Sequence, residues 1–434
     1  MKLRHLIPIL GIGLVFSLLV LFRSGHVNGF PAITHWAWHW RNLGTQRTLI
    51  AFAVPFLTLS GVLLCIERQA LPKAAILLPV LVLCSFSLQI LGMSVEPEGF
   101  ERIRQLVLSG NSCGYHTDAL AIQDLPNWLR SFHVLDLSGH ASTHPAGPIL
   151  FYYAFSRIFS PNSAPLVAAC AIGLIASGGV LMMYRFAGLW TEDRHMRLIA
   201  CTLYALLPAI VVFFPEFDQI LPIFSMLIVL CWVKALDGSW LYAAALGVVF
   251  AVAAFFAYNL LAMGAFLVAY AFCSSRRWMK VLTRGAIALA STVLLYLLLW
   301  AVTGYNVIAA FAHSWSNQQL MASHLNRPYA IFTIFDLYDF ALGGGILALL
   351  IMLAGITRRT PRLTLACLAT ILIIDLSGLL RGETARVWLF LQPLVIVPAA
   401  IELARCTWPW RVAVFTLQGW ILLCLKAKMA FVEP

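Results

Sequence analysis

Long uncharged apolar runs recur from one end of this sequence to the other. A helix needs about 20 consecutive apolar residues to cross a bilayer, and many of the runs approach that length. The runs are continuous rather than alternating, which argues against a β-barrel. Of the 434 residues only 11% are charged, whereas soluble domains carry about 25% charged residues. The sequence therefore predicts an all-α polytopic membrane protein.

The apolar runs predict about thirteen membrane spans. They lie at residues 5–22, 48–65, 74–93, 165–184, 198–214, 221–233, 241–258, 260–273, 286–302, 331–356, 363–376, 387–401 and 412–425. The sequence shows no internal repeat and no soluble domain, so we interpret residues 1–434 as a single transmembrane domain.

One long polar segment, residues 94–164, interrupts the apolar runs. Inside it, residues 149–159 form an apolar run that is too short to cross a membrane and that contains Arg157. Apolar segments of about 10–14 residues are more often interfacial or re-entrant than spanning. We therefore expect residues 149–159 to lie on the membrane surface, and residues 94–164 to form one loop with interfacial helices.

The basic residues predict the orientation of the chain. When the N-terminus is placed in the cytoplasm, most of the 29 Lys and Arg residues fall into short connections such as 276–284 and 358–362. This distribution agrees with the positive-inside rule, and it puts the segment 94–164 on the exoplasmic side. The same rule accounts for the formal net charge of +11, so no nucleic-acid partner is expected.

Acidic residues stand in the first half of the exoplasmic segment. Glu96 and Glu98 follow the end of a predicted helix, and His116 and Asp118 come further along. A carboxylate at the membrane rim can act as a general base toward a hydroxyl group. The alternatives are a solvated helix start with acidic residues near its N-terminus and, for Asp118, an ordinary loop or cap residue.

Two imidazoles stand near the end of the polar segment. His140 and His144 are four residues apart, and Pro145 and Pro148 follow them. On a helix this spacing would suit metal binding, but the prolines argue against a regular helix at this point. We expect the imidazoles to reach a phosphate group, with a purely structural turn as the alternative.

Two further charged clusters lie at predicted outer helix ends. Glu216 and Asp218 are two residues apart and could bind a sugar or a divalent ion, whereas a polar helix cap is the alternative. Arg381, Glu383 and Arg386 form the second cluster. Arginine side chains bind phosphate oxygens well, and an ion pair between Glu383 and either arginine is the alternative.

These motifs resemble those of the glycosyltransferase-C superfamily, which includes protein O-mannosyltransferases and aminoarabinose transferases. Its members are polytopic enzymes that take a sugar from a polyprenyl-phosphate donor. The Glu-Pro-Glu sequence at residues 96–98 looks like the acidic start of their first catalytic loop. The sequence His-Pro-Ala-Gly-Pro at residues 144–148, followed by aromatic residues, looks like their His-Pro-Pro-type motif, which opens a juxtamembrane helix.

The resemblance implies an inverting transfer of a sugar from polyprenyl phosphate to a hydroxyl acceptor, which would be a glycan, a lipid or a protein. It implies an exoplasmic catalytic loop at residues 94–164, an integral protein of a bacterial inner membrane and a groove between helices for the prenyl tail. It also allows for a divalent metal ion of open identity. The implied roles are base for Glu98 or Asp118; phosphate and substrate binding for His140, His144, Arg381, Glu383 and Arg386; and metal or sugar binding for Glu96, Glu216 and Asp218.

A secondary transporter or a flippase for lipid-linked sugars is the alternative from another functional class. Such proteins are built from inverted repeats and carry charges near the midplane of the membrane. The sequence shows no repeat, and the centres of its apolar runs are nearly free of charge. A membrane scaffold without chemistry is a third interpretation, and it leaves the exoplasmic clustering of charged residues unexplained.

Overall fold

The computed structural model describes residues 3–22, 39–68, 74–110, 112–274, 277–356 and 362–432. It is 81% helical, which confirms the all-α class. Two short strands, β1 His39–Trp40 and β2 Met429–Ala430, form one antiparallel pair. The basic connections at residues 276–284 and 358–362, on which the predicted orientation depends, lie partly outside the described residues.

The helices before the end of the polar segment are α1 Leu3–Phe22, α2 Thr45–Glu67, α3 Ala74–Ser94, α4 Glu101–Leu108, α5 Tyr115–Leu120, α6 Leu125–Ser131 and α7 Ala146–Ile158. The helices after it are α8 Ala164–Ala187, α9 Arg194–Ala205, α10 Pro208–Val212, α11 Leu221–Asp237, α12 Trp240–Phe256, α13 Met263–Ser274, α14 Trp278–Thr303, α15 Val307–Ser323, α16 Tyr329–Gly344, α17 Leu347–Gly355, α18 Arg362–Ser377, α19 Thr384–Val387, α20 Gln392–Ala404 and α21 Trp408–Lys428.

Seven helical segments of the described chain are long and apolar enough to cross a membrane, and a bent pair of helices would make eight. A helix lies at each of the positions predicted from the apolar runs. Several of these helices, including α12, α13, α18 and α20, are shorter than the roughly 20 residues that a spanning helix requires. The structure therefore confirms a polytopic helical architecture, while the count of thirteen spans stays a prediction.

Two of the predicted apolar runs are broken helices. The run at 198–214 is divided between α9 and α10, because Pro208 has no N–H to continue the hydrogen bonding of α9. The run at 331–356 is divided between α16 and α17, which meet at an angle of 109°. Gly345 ends α16 with a φ of +80°, a left-handed conformation that glycine adopts easily.

The polar segment contains α4 to α7, and α7 includes most of the run that was expected to lie on the membrane surface. With 13 residues α7 is too short to span a bilayer. It packs closely on α12, because an added Cβ atom at Gly147 would lie only 2.4 Å from the carbonyl oxygen of Phe255. This contact fixes the position of the residues directly before α7, which include both imidazoles.

Ion pairs join distant parts of the chain at both ends of the helical bundle. We call the end at which α3 leads into the polar segment the loop end. There Glu96 pairs with Arg41 and Lys426, beside the β1–β2 pair. At the opposite end Glu67 of α2 pairs with Arg411 of α21. The assignment of the loop end to the exoplasmic side stays a prediction.

Candidate functional site

Three carboxylates surround the guanidinium group of Arg386 at the loop end. Glu383 Oε2 lies 2.7 Å from Arg386 Nη2, Asp218 Oδ2 lies 3.6 Å from Nε, and Glu216 Oε2 lies 3.7 Å from Nη1. We call these four residues the Arg386 cluster. The structure thus brings together two charged groups that the sequence places about 165 residues apart in separate predicted clusters, as expected for an active site at one membrane face.

Two aspartates of α16 hold the backbone that carries Arg386. The N–H of Gly382 donates to Asp336 Oδ1 at 2.8 Å, and the N–H of Ala385 donates to Asp339 Oδ2 at 2.9 Å. Both aspartates are buried. Hydrogen bonds from backbone N–H groups to carboxylates are stronger than those between neutral groups. Helix α16 therefore fixes the loop that carries Arg386.

The other two acids of the Arg386 cluster come from the break between α10 and α11. Helix α10 ends at Val212, Pro215 directly precedes Glu216, and a 3-10 helix, Phe217–Ile220, follows. Glu216 is 1% exposed, and the side chain of Asp218 is 14% exposed. The break therefore turns one carboxylate fully into the protein and leaves the other at its edge.

The two imidazoles lie next to each other, near the Arg386 cluster. The rings of His140 and His144 are 4.5 Å apart, and the ring of Tyr115 lies edge-on to both, at 5.6 and 5.5 Å. Tyr115 also contacts Phe217 at 6.3 Å, next to Asp218. The structure therefore joins the predicted histidines to the acidic break between α10 and α11 through one aromatic side chain.

The tautomer of His144 follows from its hydrogen bond. Its Nδ1 atom lies 2.9 Å from the carbonyl oxygen of His140, which can only accept, so Nδ1 carries the proton. Burial lowers the pKa of His144, and nearby Arg386 lowers it further although Asp218 opposes the shift. A neutral His144 then presents the lone pair of Nε2, which suits a hydroxyl donor better than a phosphate oxygen.

The segment that carries the histidines is held by Asp118. Ser138 donates to Asp118 Oδ2 through its hydroxyl at 2.8 Å and through its backbone N–H at 3.1 Å. Burial raises the pKa of Asp118, and the hydrogen bonds from Ser138 offset part of that rise. This predicted base therefore has its oxygens occupied by Ser138 and supports the loop that carries His140.

Burial and neighbouring charges separate the protonation of the acids in the Arg386 cluster. Burial raises the pKa of Glu216 to about 8, and Asp218 adds to the rise while Arg386 opposes it. For Glu383 burial also favours the neutral form, but Arg386 and Arg327 outweigh it and lower the pKa. The pKa values of two carboxyl groups of one cluster are thus shifted in opposite directions, a pattern typical of acid–base chemistry.

Two polar atoms of the Arg386 cluster are buried without a hydrogen-bond partner in the described part of the chain. They are Oε1 of Glu216, an acceptor when the group is ionised, and Nε of Arg386, a donor whose ion-pair partner, Asp218 Oδ2, lies at 3.6 Å, beyond hydrogen-bond distance. Buried polar groups are nearly always hydrogen-bonded in proteins. The pair is complementary to a ligand that brings both a hydroxyl donor and an anionic oxygen.

Three predicted site residues lie apart from the Arg386 cluster. Glu96 is buried between Arg41 and Lys426, and Glu98 is exposed, with Arg102 4.0 Å away. Arg381 is also exposed and donates to a backbone carbonyl rather than to a carboxylate. The structure thus separates the acidic start of the polar segment from the cluster with which it was expected to act.

The sequence interpretation missed several residues of the site. Cys113 contacts Glu216, Tyr115 contacts both imidazoles, and Arg327 donates to Glu383 at 2.9 Å. Cys113 carried a weak signal, because most other cysteines of the chain lie inside apolar runs. Tyr115 and Arg327 had no local signal, since aromatic and basic residues are common at membrane interfaces.

Whether a divalent metal ion fits this site depends on the side chains that could donate to it. Within the described ranges, no three His, Cys, Asp or Glu side chains are grouped in a way that could hold a metal ion. The carboxylates of the Arg386 cluster face a guanidinium group, which already supplies positive charge. The arrangement does not fit a metal centre of the predicted kind.

No protein-family model and no curated protein sequence matches this chain. Its structure is similar to the crystal structure of ArnT from Cupriavidus metallidurans bound to undecaprenyl phosphate, with a TM-score of 0.50 and 14% sequence identity. The similarity covers 76% of this chain and 60% of the ArnT chain, so the chain spans less than two thirds of that relative. The similarity shows that the chain has an ArnT-like helical fold.

Proposed function

We propose that this protein is an inverting glycosyltransferase that moves a sugar from a polyprenyl-phosphate donor to a hydroxyl acceptor. The ArnT-like fold supports this proposal, because the similar ArnT structure is bound to undecaprenyl phosphate. The Arg386 cluster supports it independently, because it lies at the loop end where charged groups gather beside an apolar bundle. In this proposal the loop end is exoplasmic and the acceptor is a glycan, a lipid or a protein.

The observation that carries the proposal is the pair of unpartnered polar atoms, Glu216 Oε1 and Arg386 Nε. A carboxylate with a raised pKa is a good proton acceptor once it is ionised, and a guanidinium donor suits a phosphate oxygen. An acceptor hydroxyl and a lipid phosphate would satisfy both atoms at the same time.

In the proposed reaction Glu216 accepts the proton of the acceptor hydroxyl as its oxygen attacks the anomeric carbon of the donor sugar. The bond between that carbon and the phosphate oxygen breaks, and the electron pair leaves with the lipid phosphate. Arg386 stabilises the developing negative charge on the phosphate. His144, with its Nε2 lone pair, accepts a hydrogen bond from a sugar or acceptor hydroxyl.

Glu216 takes the role of base that the sequence motifs implied for Glu98 or Asp118. The Asp118 carboxylate is occupied by Ser138, so we assign it to positioning the histidine loop. The exposed Glu98 carboxylate lies near Arg102 and apart from the Arg386 cluster. Arg381 lies next to Arg327, and in our proposal these two arginines attract the phosphate to the mouth of the site.

The test uses the full chain in liposomes supplied with radiolabelled undecaprenyl-phosphate sugars and a bacterial lipid or glycan extract as acceptor. We expect the wild type to transfer label and Glu216→Gln to transfer it about 100-fold or more slowly, the usual effect of losing a general base. Binding of undecaprenyl phosphate, followed by tryptophan fluorescence, should change little in this variant.

The matched control is Glu402→Gln, which removes a buried carboxylate paired with Arg405 at the far end of α20. This variant should transfer like the wild type. Wild-type protein that transfers no label, or Glu216→Gln protein that transfers it normally, would contradict the proposal. Movement of the labelled lipid across the bilayer without transfer would favour the transporter alternative instead.

A further inference from the structure

Cys113 stands in the turn between α4 and α5 and reaches the Arg386 cluster from the side. It is fully buried, and its Sγ atom lies 3.6 Å from Glu216 Oε2. The carbonyl oxygen of Ser109 accepts the N–H groups of both Cys113 and Gly114, at 3.1 and 2.8 Å. Gly114 adopts a φ of +67°, which closes the turn. The thiol is therefore held in place by its own backbone.

The contacts of the Glu216 carboxylate are unequal. Oε2 is approached by the Cys113 thiol at 3.6 Å and by Arg386 Nη1 at 3.7 Å, from two different elements. Oε1 is buried and has no hydrogen-bond partner among the described residues. The protein thus fixes one oxygen of this carboxylate and leaves the other for a ligand.

We propose that Cys113 is a positioning residue for Glu216, whose thiol donates to Oε2 and so directs Oε1 toward the acceptor hydroxyl. This inference rests on the proposed function and goes beyond it, because it names the group that orients the base. Cys113 itself touches no reacting atom. In the reaction it keeps its proton, while the proton of the acceptor passes to Oε1.

The chemistry of the thiol agrees with a donor role. Burial raises the pKa of Cys113 well above its usual value, and Glu216 raises it further. A buried cysteine beside a carboxylate is therefore a thiol and not a nucleophilic thiolate. A thiol is a weak hydrogen-bond donor compared with a hydroxyl. It therefore orients Glu216 without strongly favouring the ionised carboxylate, and Glu216 can still take up and release a proton.

Other charged or titratable groups also face Glu216 and must be held constant in a test. The groups that influence its protonation, or that are influenced by it, are Arg386, Asp218, Glu383, Tyr115 and Tyr152. Two of these groups, Tyr115 and Tyr152, also interact with Cys113. Cys113→Ser keeps a hydrogen-bonding group at residue 113, so a comparison of the serine and alanine variants reports on the contact with Glu216.

The experiment compares Cys113→Ser and Cys113→Ala with the wild type in liposomes, with Cys201→Ala as control. Cys201 is an equally buried cysteine of α9 whose Sγ contacts a backbone carbonyl at 3.4 Å. Infrared difference titration follows the protonated carboxyl band of Glu216, which is assigned as the band absent from Glu216→Gln. Transfer rates over the same pH range give kcat and KM for the undecaprenyl-phosphate sugar.

We expect Cys113→Ala to raise the titration midpoint of Glu216 by about half a pH unit or more, and Cys113→Ser to lower it by a similar amount. The pH profile of kcat should move with the midpoint, with KM nearly constant, and kcat should fall about tenfold in Cys113→Ala. The control should change neither quantity.

An unchanged midpoint in both folded Cys113 variants would overturn the inference, and the nearly isosteric serine keeps the test valid should the alanine variant fold poorly. The infrared measurement needs no substrate. If the wild type transfers no sugar, the proposed function fails, and the midpoint shift alone still decides whether Cys113 positions Glu216.

Discussion

The Oγ atom of Ser138 lies 2.8 Å from Oδ2 of Asp118. This hydrogen bond connects α5 to the loop that carries His140, two residues further on, and the backbone N–H of Ser138 strengthens it at 3.1 Å. The carboxylate was expected from sequence motifs to act on a substrate. Its geometry indicates that it acts on the loop, and so on the substrate only through the histidines.

We predict that Asp118→Asn and Ser138→Ala each lower the transfer rate about tenfold, because both release the same loop, and that the double variant is little worse than either single one. The measurement is a double-mutant cycle on kcat/KM. Ser131→Ala, which removes a hydroxyl bonded within α6, should leave the rate unchanged. Strictly additive effects would show that Asp118 acts independently of Ser138.

Glu383 joins Arg386 to Arg327, with oxygens 2.7 and 2.9 Å from their nitrogens. In Glu383→Gln the guanidinium of Arg386 loses the negative charge of its shortest contact, and a charge buried without its partner is costly. We expect kcat/KM to fall about 30-fold or more, since a displacement of about 1 Å at a reacting centre has effects of this size.

A matched comparison for Glu383→Gln is Glu101→Gln, which breaks an exposed 3.4 Å pair with Arg104 in α4. That change should leave kcat/KM within about twofold, because exposed ion pairs contribute little. Normal activity in Glu383→Gln would show that Arg386 is held well enough by its backbone and by the other two acids.

Glu96 ties the start of the polar segment to Arg41 and Lys426. Burial alone would raise the pKa of Glu96, but Lys426 and Arg41 outweigh it and lower the pKa. A lowered pKa contributes stability that is fully present above the unfolded-state value of about 4.3 and is lost as the pH falls toward the folded-state value.

We therefore predict that Glu96→Gln lowers the thermal unfolding temperature at pH 7, because Lys426 is left buried without its partner, a loss of about 3 kcal/mol or more. The difference from the wild type should shrink as the pH falls below about 4.3. Thermal unfolding scans in detergent, from pH 7 to below about pH 4.3, measure this difference in unfolding temperature. A difference that stays constant across this range would contradict the ion-pair explanation.

Gly147 lies where α7 crosses α12. A Cβ atom at this position would lie 2.4 Å from the Phe255 carbonyl oxygen and 2.8 Å from the Phe256 ring. Gly147→Ala must push α7 away from α12 and so displace His144, and we expect a lower unfolding temperature and a transfer rate reduced about tenfold, since core overpacking costs about 1–3 kcal/mol. Purified protein in detergent allows both measurements.

Gly178 provides the comparison, because an added Cβ atom there meets no atom within 4 Å. In the interior of α8, Gly178→Ala should stabilise the protein by about 0.5–1 kcal/mol. Equal destabilisation by the two substitutions would mean that the approach of α7 to α12 is not what makes Gly147 necessary.

The positions of the helices were predictable from the sequence because the apolar length of a membrane helix is set by the bilayer. The division of the run at 331–356 was not predicted, although Gly343, Gly344 and Gly345 stand at the bend. Glycines are frequent inside membrane helices, so their number alone did not indicate a change of direction of 109°.

The Arg386 cluster was predictable residue by residue, because charged side chains are costly near a membrane and stand out in an apolar sequence. The arrangement of the charged residues relative to one another was not predictable. Glu96 and Glu98 are neighbours in the chain, yet Glu96 pairs with Lys426, 330 residues away, while Glu98 faces solvent. The roles of Asp336 and Asp339 had no signal in the sequence, since their partners are backbone N–H groups of a loop far along the chain.

Glu383 occupies a left-handed backbone conformation, with a φ of +54°, directly after Gly382. A residue other than glycine in this conformation destabilises the folded state by about 1–2 kcal/mol. Glycine at residue 383 would relieve this strain, but it would also leave two arginines without their carboxylate. A buried charge without its partner costs about 3–5 kcal/mol, so the ion pairs of Glu383 outweigh the strain of its backbone.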